Sequence, residues 1–545
     1  MTILYTTCAL PQIIVMYRCR SSSEIFYIQQ TLTTFSRYRT TSAVHPNISK
    51  CPFRYPAAAM QGEQATSSFE KGTLKSFEEM PGPHGIYNVP YLGTALQMYP
   101  FTQYHPTRFD ELVREWRKQL GSIYRVRLPR DWNVFVNDPK DVEKTFRSDN
   151  RYPFRRTLPL FDTYNSIRNR EPTIGERNGE NWWEMRSPAQ KGICQHQTLS
   201  KLIPKLSGVA DDLVSNCRVS GQLKNLPYPF FEYASEGAGL LCFNTRLGII
   251  AASGSPSSRE FMEFVDNYFD YFGKQLLAPI HWFKWFRTPG YLKFEKASDF
   301  LVSITDKHTK MAEKTLKTTY DPDEFNLLHF LLTSPNMTPE KISSLLVDFF
   351  RGGIDSTANA ITFLLYHLAK YPDIQEKLYH ELAPRIPAEG PISPNGFKDT
   401  PYLKACLKES FRFVYPVILG TQRVLDDDVV LSNYEVPAGT TINLCISTIC
   451  KDEQYFPSPE KFLPERWLRG NSEREKRHPF GFLPFGYGTR NCVGQRFAEQ
   501  EIYISVSKIV TNFRITLPKG LNDVPFVYST FATPKERFTL NLNPR

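Results

Sequence analysis

Phe485-Gly-Tyr-Gly-Thr-Arg-Asn-Cys-Val-Gly-Gln-Arg496 sets one cysteine, Cys492, among glycines and arginine and just ahead of a helix-like run. A thiolate carries negative charge into a half-buried place, so it needs backbone N–H donors and little side-chain bulk around it. Gly486, Gly488 and Gly494 permit tight turns and close approach. Arg490 offers a planar fork that matches a carboxylate, and Phe485 can shield the sulfur. Two plainer readings compete. An unflanked cysteine is most often a small inert core residue, and Gly486-Tyr-Gly488 begins like a dinucleotide fingerprint. The second is weak, because Asn491 stands at the third glycine position and no acidic residue follows at the right distance.

Phe485, Gly488, Arg490, Cys492 and Gly494 fill every fixed position of F-x-x-G-x-R-x-C-x-G, and the stretch resembles the signature of the cytochrome P450 family. The resemblance implies that Cys492 is the axial ligand of a haem b iron and that Arg490 meets a haem propionate. It also implies a mainly α fold with smaller β-sheets and a long central helix over a buried haem. Further parts of the chain test it.

Thr338 and Pro339 suit the cap and first turn of a helix continuing to about Lys370, on the order of 50 Å at about 1.5 Å per residue. Between Ile342 and Leu365 its only charges are Asp348, Arg351 and Asp355, so it must be buried nearly all round. Gly352-Gly-Ile-Asp-Ser-Thr357 interrupts it with two glycines that cost about 1 kcal/mol each against Ala, which predicts a useful local distortion. A hydroxyl following them is placed to satisfy a carbonyl released from the ladder. Read plainly, Asp355 pairs with Arg351 four residues before it. The run also resembles the family's oxygen-binding motif, which implies proton delivery by Asp355 with Ser356 or Thr357. Ser356 stands where threonine is usual, and the sequence leaves open which hydroxyl serves.

Trp182 and Arg186, four apart in Gly179-Glu-Asn-Trp-Trp-Glu-Met-Arg186, share a helical face. They match the family's W-x-x-x-R, which implies propionate contacts. Thr400 and Pro416 bound a helix in which Glu409 and Arg412 lie three apart, and Arg466 follows in Pro464-Glu-Arg-Trp467. By resemblance these three form a structural triad, and Arg423 is a further propionate partner. Residues 417–421 and 528–532 are expected at the pocket. Lys404 and Lys408, four apart, read plainly as a solvated basic stripe. In mitochondrial members of the family, lysines at matching positions dock an acidic ferredoxin. That implies a redox-partner surface of Lys404, Lys408 and Arg496, weakened where Gln495 replaces a common arginine.

Composition fits this picture without selecting it. Basic residues exceed acidic by 66 − 56 = 10 among 545 residues, which suits an anionic cofactor, an acidic partner or an anionic membrane. The basic residues are scattered and no nucleic-acid-binding signature is evident. The ten cysteines show no C-x-x-C, against structural zinc and covalently attached haem. Length alone suggests three or four domains, whereas the resemblance covers residues 81–545 as one haem-binding monooxygenase domain.

In residues 1–60 Glu24 is the only acid, against Arg18, Arg20, Arg37, Arg39, Lys50 and Arg54, a composition typical of a mitochondrial transit segment. The alternative is an endoplasmic-reticulum anchor, but residues 2–17 fall short of the about 20 apolar residues a spanning helix needs. Residues 61–80 read as a linker. Trp282, Phe283, Trp285, Phe286 and Tyr291, interleaved with Lys284, Arg287 and Lys293, suit either a membrane interface or a helix with an aromatic core face. The expected protein is thus a monooxygenase on the matrix side of the mitochondrial inner membrane, in peripheral contact with the bilayer. Its substrate is lipophilic and steroid-like. Electrons pass from NADPH through a ferredoxin reductase and a ferredoxin of the adrenodoxin type. A microsomal monooxygenase fed by a flavoprotein reductase and a haem-thiolate isomerase are the rivals.

Overall fold

A computed structural model describes residues 74–545 apart from 91, 129–130, 194–195, 251–255, 277, 279 and 316–325. The transit segment and most of the linker read above lie outside the described residues. The folded body spans Lys71–Arg545. It starts before residue 81: Lys75 bridges Tyr434 in parallel, and Met80 lies in the core. Residues 75–80 therefore belong to the body and not to a linker.

The helix Pro339–Lys370 is the axis of the molecule. The Thr338 side chain accepts the Lys341 N–H, Pro339 occupies the first turn, and Pro372, which lacks an N–H, opens the next helix. Helices Tyr228–Phe243, Pro289–Thr315 and Gln495–Asn512 pack around it. The first of these is buried at nearly every position, and Gly237 allows the Glu501 side chain to lie against its backbone. The two glycines of the axis do not break it: the helix is continuous, and the Ser356 hydroxyl donates to the Gly352 carbonyl at 2.6 Å. The expected distortion is thus limited to an added side-chain bond.

The sheets lie at the periphery. A four-stranded sheet runs in the order Ile123–Leu128, Asp131–Val136, Thr441–Leu444, Thr421–Val424, with the middle pair parallel. Strands Gln222–Leu226, Phe538–Pro544 and Phe513–Thr516 form a second sheet. The hairpin Phe526–Tyr528 with Ala532–Pro534 is tied to the segment before Val417 by Ala532 N–H to Pro416 O at 2.9 Å and Tyr528 OH to Tyr415 O at 3.0 Å. This ties the 528–532 turn to the chain just before residues 417–421.

Helix Pro401–Phe413 begins after Thr400, but the Thr400 hydroxyl donates to Phe397 O and caps nothing. The free N–H groups of Tyr402 and Leu403 are taken instead by the Glu381 carboxylate at 2.8 and 2.9 Å, so a distant acid does the capping. Farther along, Glu409, Arg412 and Arg466 are almost fully buried. Arg412 meets Glu409 at 2.8 and 3.0 Å, and Arg466 Nε meets it at 3.2 Å. Trp467 Nε1 and the Leu463 N–H complete the carboxylate's shell. The remaining arginine donors reach the carbonyls of Cys450, Pro457, Pro459 and Lys461. Removing one charge from such a set strands the others, so Glu409→Gln is expected to cost about 3–5 kcal/mol in urea unfolding. Glu473→Gln, at Arg466's half-exposed partner, should cost under about 1 kcal/mol.

Candidate functional site

The Cys492 loop is built by its backbone. Gly486 and Gly488 have φ of 73° and 78°, the left-handed region that a side chain strains. The turn closes through Cys492 N–H to Phe485 O at 2.8 Å. Gly494 then caps the eighteen-residue helix Gln495–Asn512, so the sulfur stands at a helix N-terminus with the Gly494 N–H toward it. Burial pushes the thiol up, while that N–H, Arg186 and Arg155 pull it down. Cys492 is exposed although protein crowds it, the situation of a residue lining a cleft. The other five described cysteines are buried, with thiols raised by burial. Phe485 packs edge-on against Phe411 at 5.6 Å.

Beside this loop lies a concentration of guanidinium groups. Arg490 sits 4.7 Å over the Trp182 ring and donates to Asn178 Oδ1 at 2.6 Å and Pro153 O at 2.9 Å. Arg186 donates to Asn491 Oδ1 at 2.7 Å. Arg423 is held by Asp149 at 2.6 Å and by Tyr487 O. Arg155, from the loop before residue 159, donates to Thr421 Oγ1 and Arg490 O and leaves its buried Nε without a partner. Burial and mutual repulsion lower Arg155 to about 10 and Arg490 to about 9. Asp149, itself pushed up by burial, is the acid that acts on both. Four cations against one carboxylate are under-compensated, and an orphaned guanidinium nitrogen among them calls for an anion.

The axis helix contributes an open face. Phe349, Gly353, Ser356 and Ala360, spaced four, three and four apart, are half-buried and Gly352 is exposed, whereas Ile354, Asp355, Thr357, Ala358 and Asn359 are buried. A Cβ on Gly352 or Gly353 would meet nothing within 4 Å. Ser356 therefore lies on the open face and Thr357 on a closed one, where its hydroxyl has no partner among the described protein atoms. The Arg351–Asp355 pair of the plain reading does not form. Arg351 turns to Asp348 and to Glu176 at 2.8 Å, with Tyr268 OH at 3.1 Å. Asp355 meets the Asn359 amide at 2.7 Å, and burial raises its carboxyl to about 7.

A separate basic face gathers the other expected residues. Lys404, Lys408 and Arg496 all act on the Glu499 carboxylate, which Gln495 meets at 3.1 Å. Arg474 and Arg477 add charge beside Lys408, which burial and these neighbours lower. Trp282–Lys284 form a short 3₁₀ turn in which Trp282 and the following Trp285 and Phe286 are exposed, whereas Phe283 is buried and Tyr291 is buried on helix Pro289–Thr315, so the stretch divides between the two readings. No described helix is long and apolar enough to cross a membrane.

The structure thus brings Trp182, Arg186, Arg423, Phe485 and Arg490 to the Cys492 loop, together with Arg155, Asp149 and Asn178. Those three were missed. Arg151-Tyr-Pro-Phe-Arg-Arg156 reads as a basic surface loop, and no local spacing links it to residues more than 260 positions later.

A planar group with two carboxylates and a metal centre answers both the cation excess and the exposed thiol, which places the protein among the haem-thiolate proteins. Residues 83–542 match the cytochrome P450 family, and the chain belongs to that family. It is a cytochrome P450 monooxygenase whose cofactor is haem iron with a thiolate ligand. The chain is similar to Cytochrome P450 10 of Lymnaea stagnalis, 28% identical over 91% of each chain. It is 27% identical to Cytochrome P450 12b1, mitochondrial, of Drosophila acanthoptera over 84% of this chain and 87% of the other. It is also 28% identical to Cholesterol side-chain cleavage enzyme, mitochondrial, of Oncorhynchus mykiss over 88% and 93%.

Two outcomes are expected of this geometry. Arg490→Leu should weaken haem binding about tenfold or more in a titration of apoprotein, and should leave binding of haem dimethyl ester nearly unchanged. Asp355, ordinarily 3.8 and raised to about 7, holds a proton more firmly folded than unfolded. Its contribution is fully present below pH 3.8 and is lost as pH rises to about 7, on the order of 4 kcal/mol in all. Asp355→Asn should remove that part of the slope in urea unfolding measured across this range.

Proposed function

We propose that the protein is a mitochondrial monooxygenase that takes electrons from a ferredoxin and oxidises a lipophilic, steroid-like substrate. The observation that carries this reading is the basic face on which Lys404, Lys408 and Arg496 converge about Glu499. An acidic iron-sulfur protein is the electrostatic complement of such a face. The similarity to relatives named as mitochondrial, one of them a cholesterol side-chain cleavage enzyme, supports the same location and substrate class. Residues 1–60 act as the transit segment in this reading, residues 61 to about 73 as the linker, and NADPH supplies electrons through the ferredoxin's reductase. Exposed Trp282, Trp285 and Phe286 beside Lys284 and Arg287 support peripheral contact with the matrix side of the inner membrane. Ile86, Leu92, Tyr99 and Phe101 are further exposed apolar groups on the N-terminal part.

In the overall reaction a substrate C–H and dioxygen, with two electrons and two protons, give the alcohol and one water. When bound, haem iron with a thiolate ligand supplies the binding and activation of dioxygen. The chain's own residues do the rest. Cys492 would provide the thiolate, and its Gly494 N–H contact and helix-terminal place oppose the burial that pushes the thiol up. Trp182, Arg155, Arg186, Arg423 and Arg490 would hold the carboxylates of the haem. Ser356 presents its hydroxyl on the open face of the axis, and Asp355 behind it, raised to about 7, exchanges protons near the working pH. Thr357 lies on the closed face, with its hydroxyl unpartnered among the described protein atoms. Glu409, Arg412 and Arg466 hold the framework and take no part in the chemistry.

The test is a carbon monoxide difference spectrum of the reduced protein, then turnover of a sterol panel with ferredoxin and its reductase. A thiolate-type spectrum that is lost in Cys492→Ala, and turnover that falls about tenfold or more in Lys404→Glu/Lys408→Glu, are the results expected. A histidine-type spectrum, or turnover supported by a flavoprotein reductase and not by ferredoxin, would overturn the reading.

A further inference from the structure

Asn359 follows Asp355 by one helical turn and is buried to 2% exposure. Its amide donates to Asp355 Oδ1 at 2.7 Å and to the Asp355 carbonyl at 2.9 Å. A side chain bonded to both the backbone and the carboxyl of one residue is held in a single rotamer, and it holds that carboxyl in turn. We propose that Asn359 is a positioning residue for the monooxygenase reaction: it fixes the Asp355 carboxyl by one oxygen, leaving the other to exchange a proton. This rests on the reading of Asp355 as the proton-exchanging acid.

Among the described residues no other polar group is found to act on the Asp355 carboxyl. Arg351, one turn the other way, is committed to Asp348 and Glu176. From the neighbouring helix Tyr228–Phe243, the Tyr233 hydroxyl donates to Glu501 O and Glu236 accepts the Leu247 N–H. From Pro289–Thr315, His308 stacks on Phe243. From Gln495–Asn512, Glu501 lies against Gly237. The ionisation of Asp355 answers to burial, which raises it, and to the Asn359 amide, which lowers it. Asn359 also keeps a spare acceptor, since its buried Oδ1 has no partner among the described protein atoms, and the nearby Thr357 hydroxyl is in the same position. Buried polar groups of this kind are ordinarily satisfied by internal water, which is also the vehicle that carries a proton to a fixed carboxyl.

The experiment uses holoenzyme with a thiolate-type carbon monoxide spectrum and compares wild type, Asn359→Leu, Asn359→Gln and Asp355→Asn. The carboxyl is followed by infrared pH titration, its band assigned by its loss in Asp355→Asn. Loss of the donor in Asn359→Leu should raise the midpoint by about one unit or more, and Asn359→Gln, which keeps a carboxamide, should return it at least halfway. In the same proteins the share of electrons lost to hydrogen peroxide, formed when dioxygen takes two electrons and two protons without oxidising substrate, should rise several-fold in the leucine variant. It should stay near wild type in the glutamine variant. An unmoved midpoint in folded Asn359→Leu overturns the proposal. Should that variant not fold, Asn359→Ser, with a shorter donor, takes its place in the same titration, and an unmoved midpoint there overturns the proposal equally. A midpoint that moves while peroxide loss does not would overturn instead the role of Asp355, and the proposal with it.

Discussion

Two arginines and one glutamate with almost no access to water hold the framework of this enzyme together. Burying them is costly in itself, and an apolar set of similar volume would often be as stable. The arrangement makes sense through what its hydrogen bonds reach. Arg412 takes the carbonyls of Cys450, Pro459 and Lys461, and Arg466 takes that of Pro457. The stretch between Ile449 and Pro464, which forms neither helix nor strand, is thereby clamped to helix Pro401–Phe413. The same clamp fixes that helix against the chain that leads to the Cys492 loop, and the helix carries Lys404 and Lys408 on another face. One electrostatic knot therefore relates the thiolate to the surface proposed to receive the electron donor.

The second group of arginines has the opposite character. In the knot every donor finds a carboxylate or a carbonyl. Around Cys492, Arg155, Arg423 and Arg490 share Asp149, Arg155 keeps an unpartnered nitrogen, and burial with mutual repulsion lowers Arg155 and Arg490. Fully satisfied buried charge marks framework, and under-compensated buried charge marks a ligand's place. The distinction needs no knowledge of the family. It separates Arg412 and Arg466 from Arg155 and Arg490 although all four are arginines in a protein interior.

Local spacing made much of this legible in the sequence. The axis helix was readable to its ends because its cap, its first-turn proline, its apolar run and the proline after it all act within a few residues. The Cys492 loop was readable because glycines at fixed steps impose backbone shapes. Contacts made by residues far apart in the chain were harder to read. Glu381 caps a helix twenty residues away in place of Thr400, and Arg155 reaches Arg490 across 335 positions. Neither has a local signature, since a long charged side chain selects its partner by tertiary position. Lys75 and Met80 were misjudged for a related reason: a short polar stretch reads as a linker until its strand partner, Tyr434, is in place.

Arg351 shows the limit most clearly. Its spacing to Asp355 favours an ion pair of the ordinary helical kind, worth a few tenths of a kcal/mol on an exposed surface. In the interior the choice is set by the desolvation of each charge, and Glu176 from another segment, with Asp348, offers Arg351 two carboxylates. Among the described residues Asp355 is thereby left without a cation, with the Asn359 amide as the polar partner of its carboxyl. That loss gives the carboxyl the use proposed for it. Paired with Arg351 it would stay ionised throughout the working range; unpaired and buried it is raised to about 7, where protons come and go. The competition for one arginine thus decides whether the acid on the axis helix is a structural charge or a group that can exchange protons during turnover.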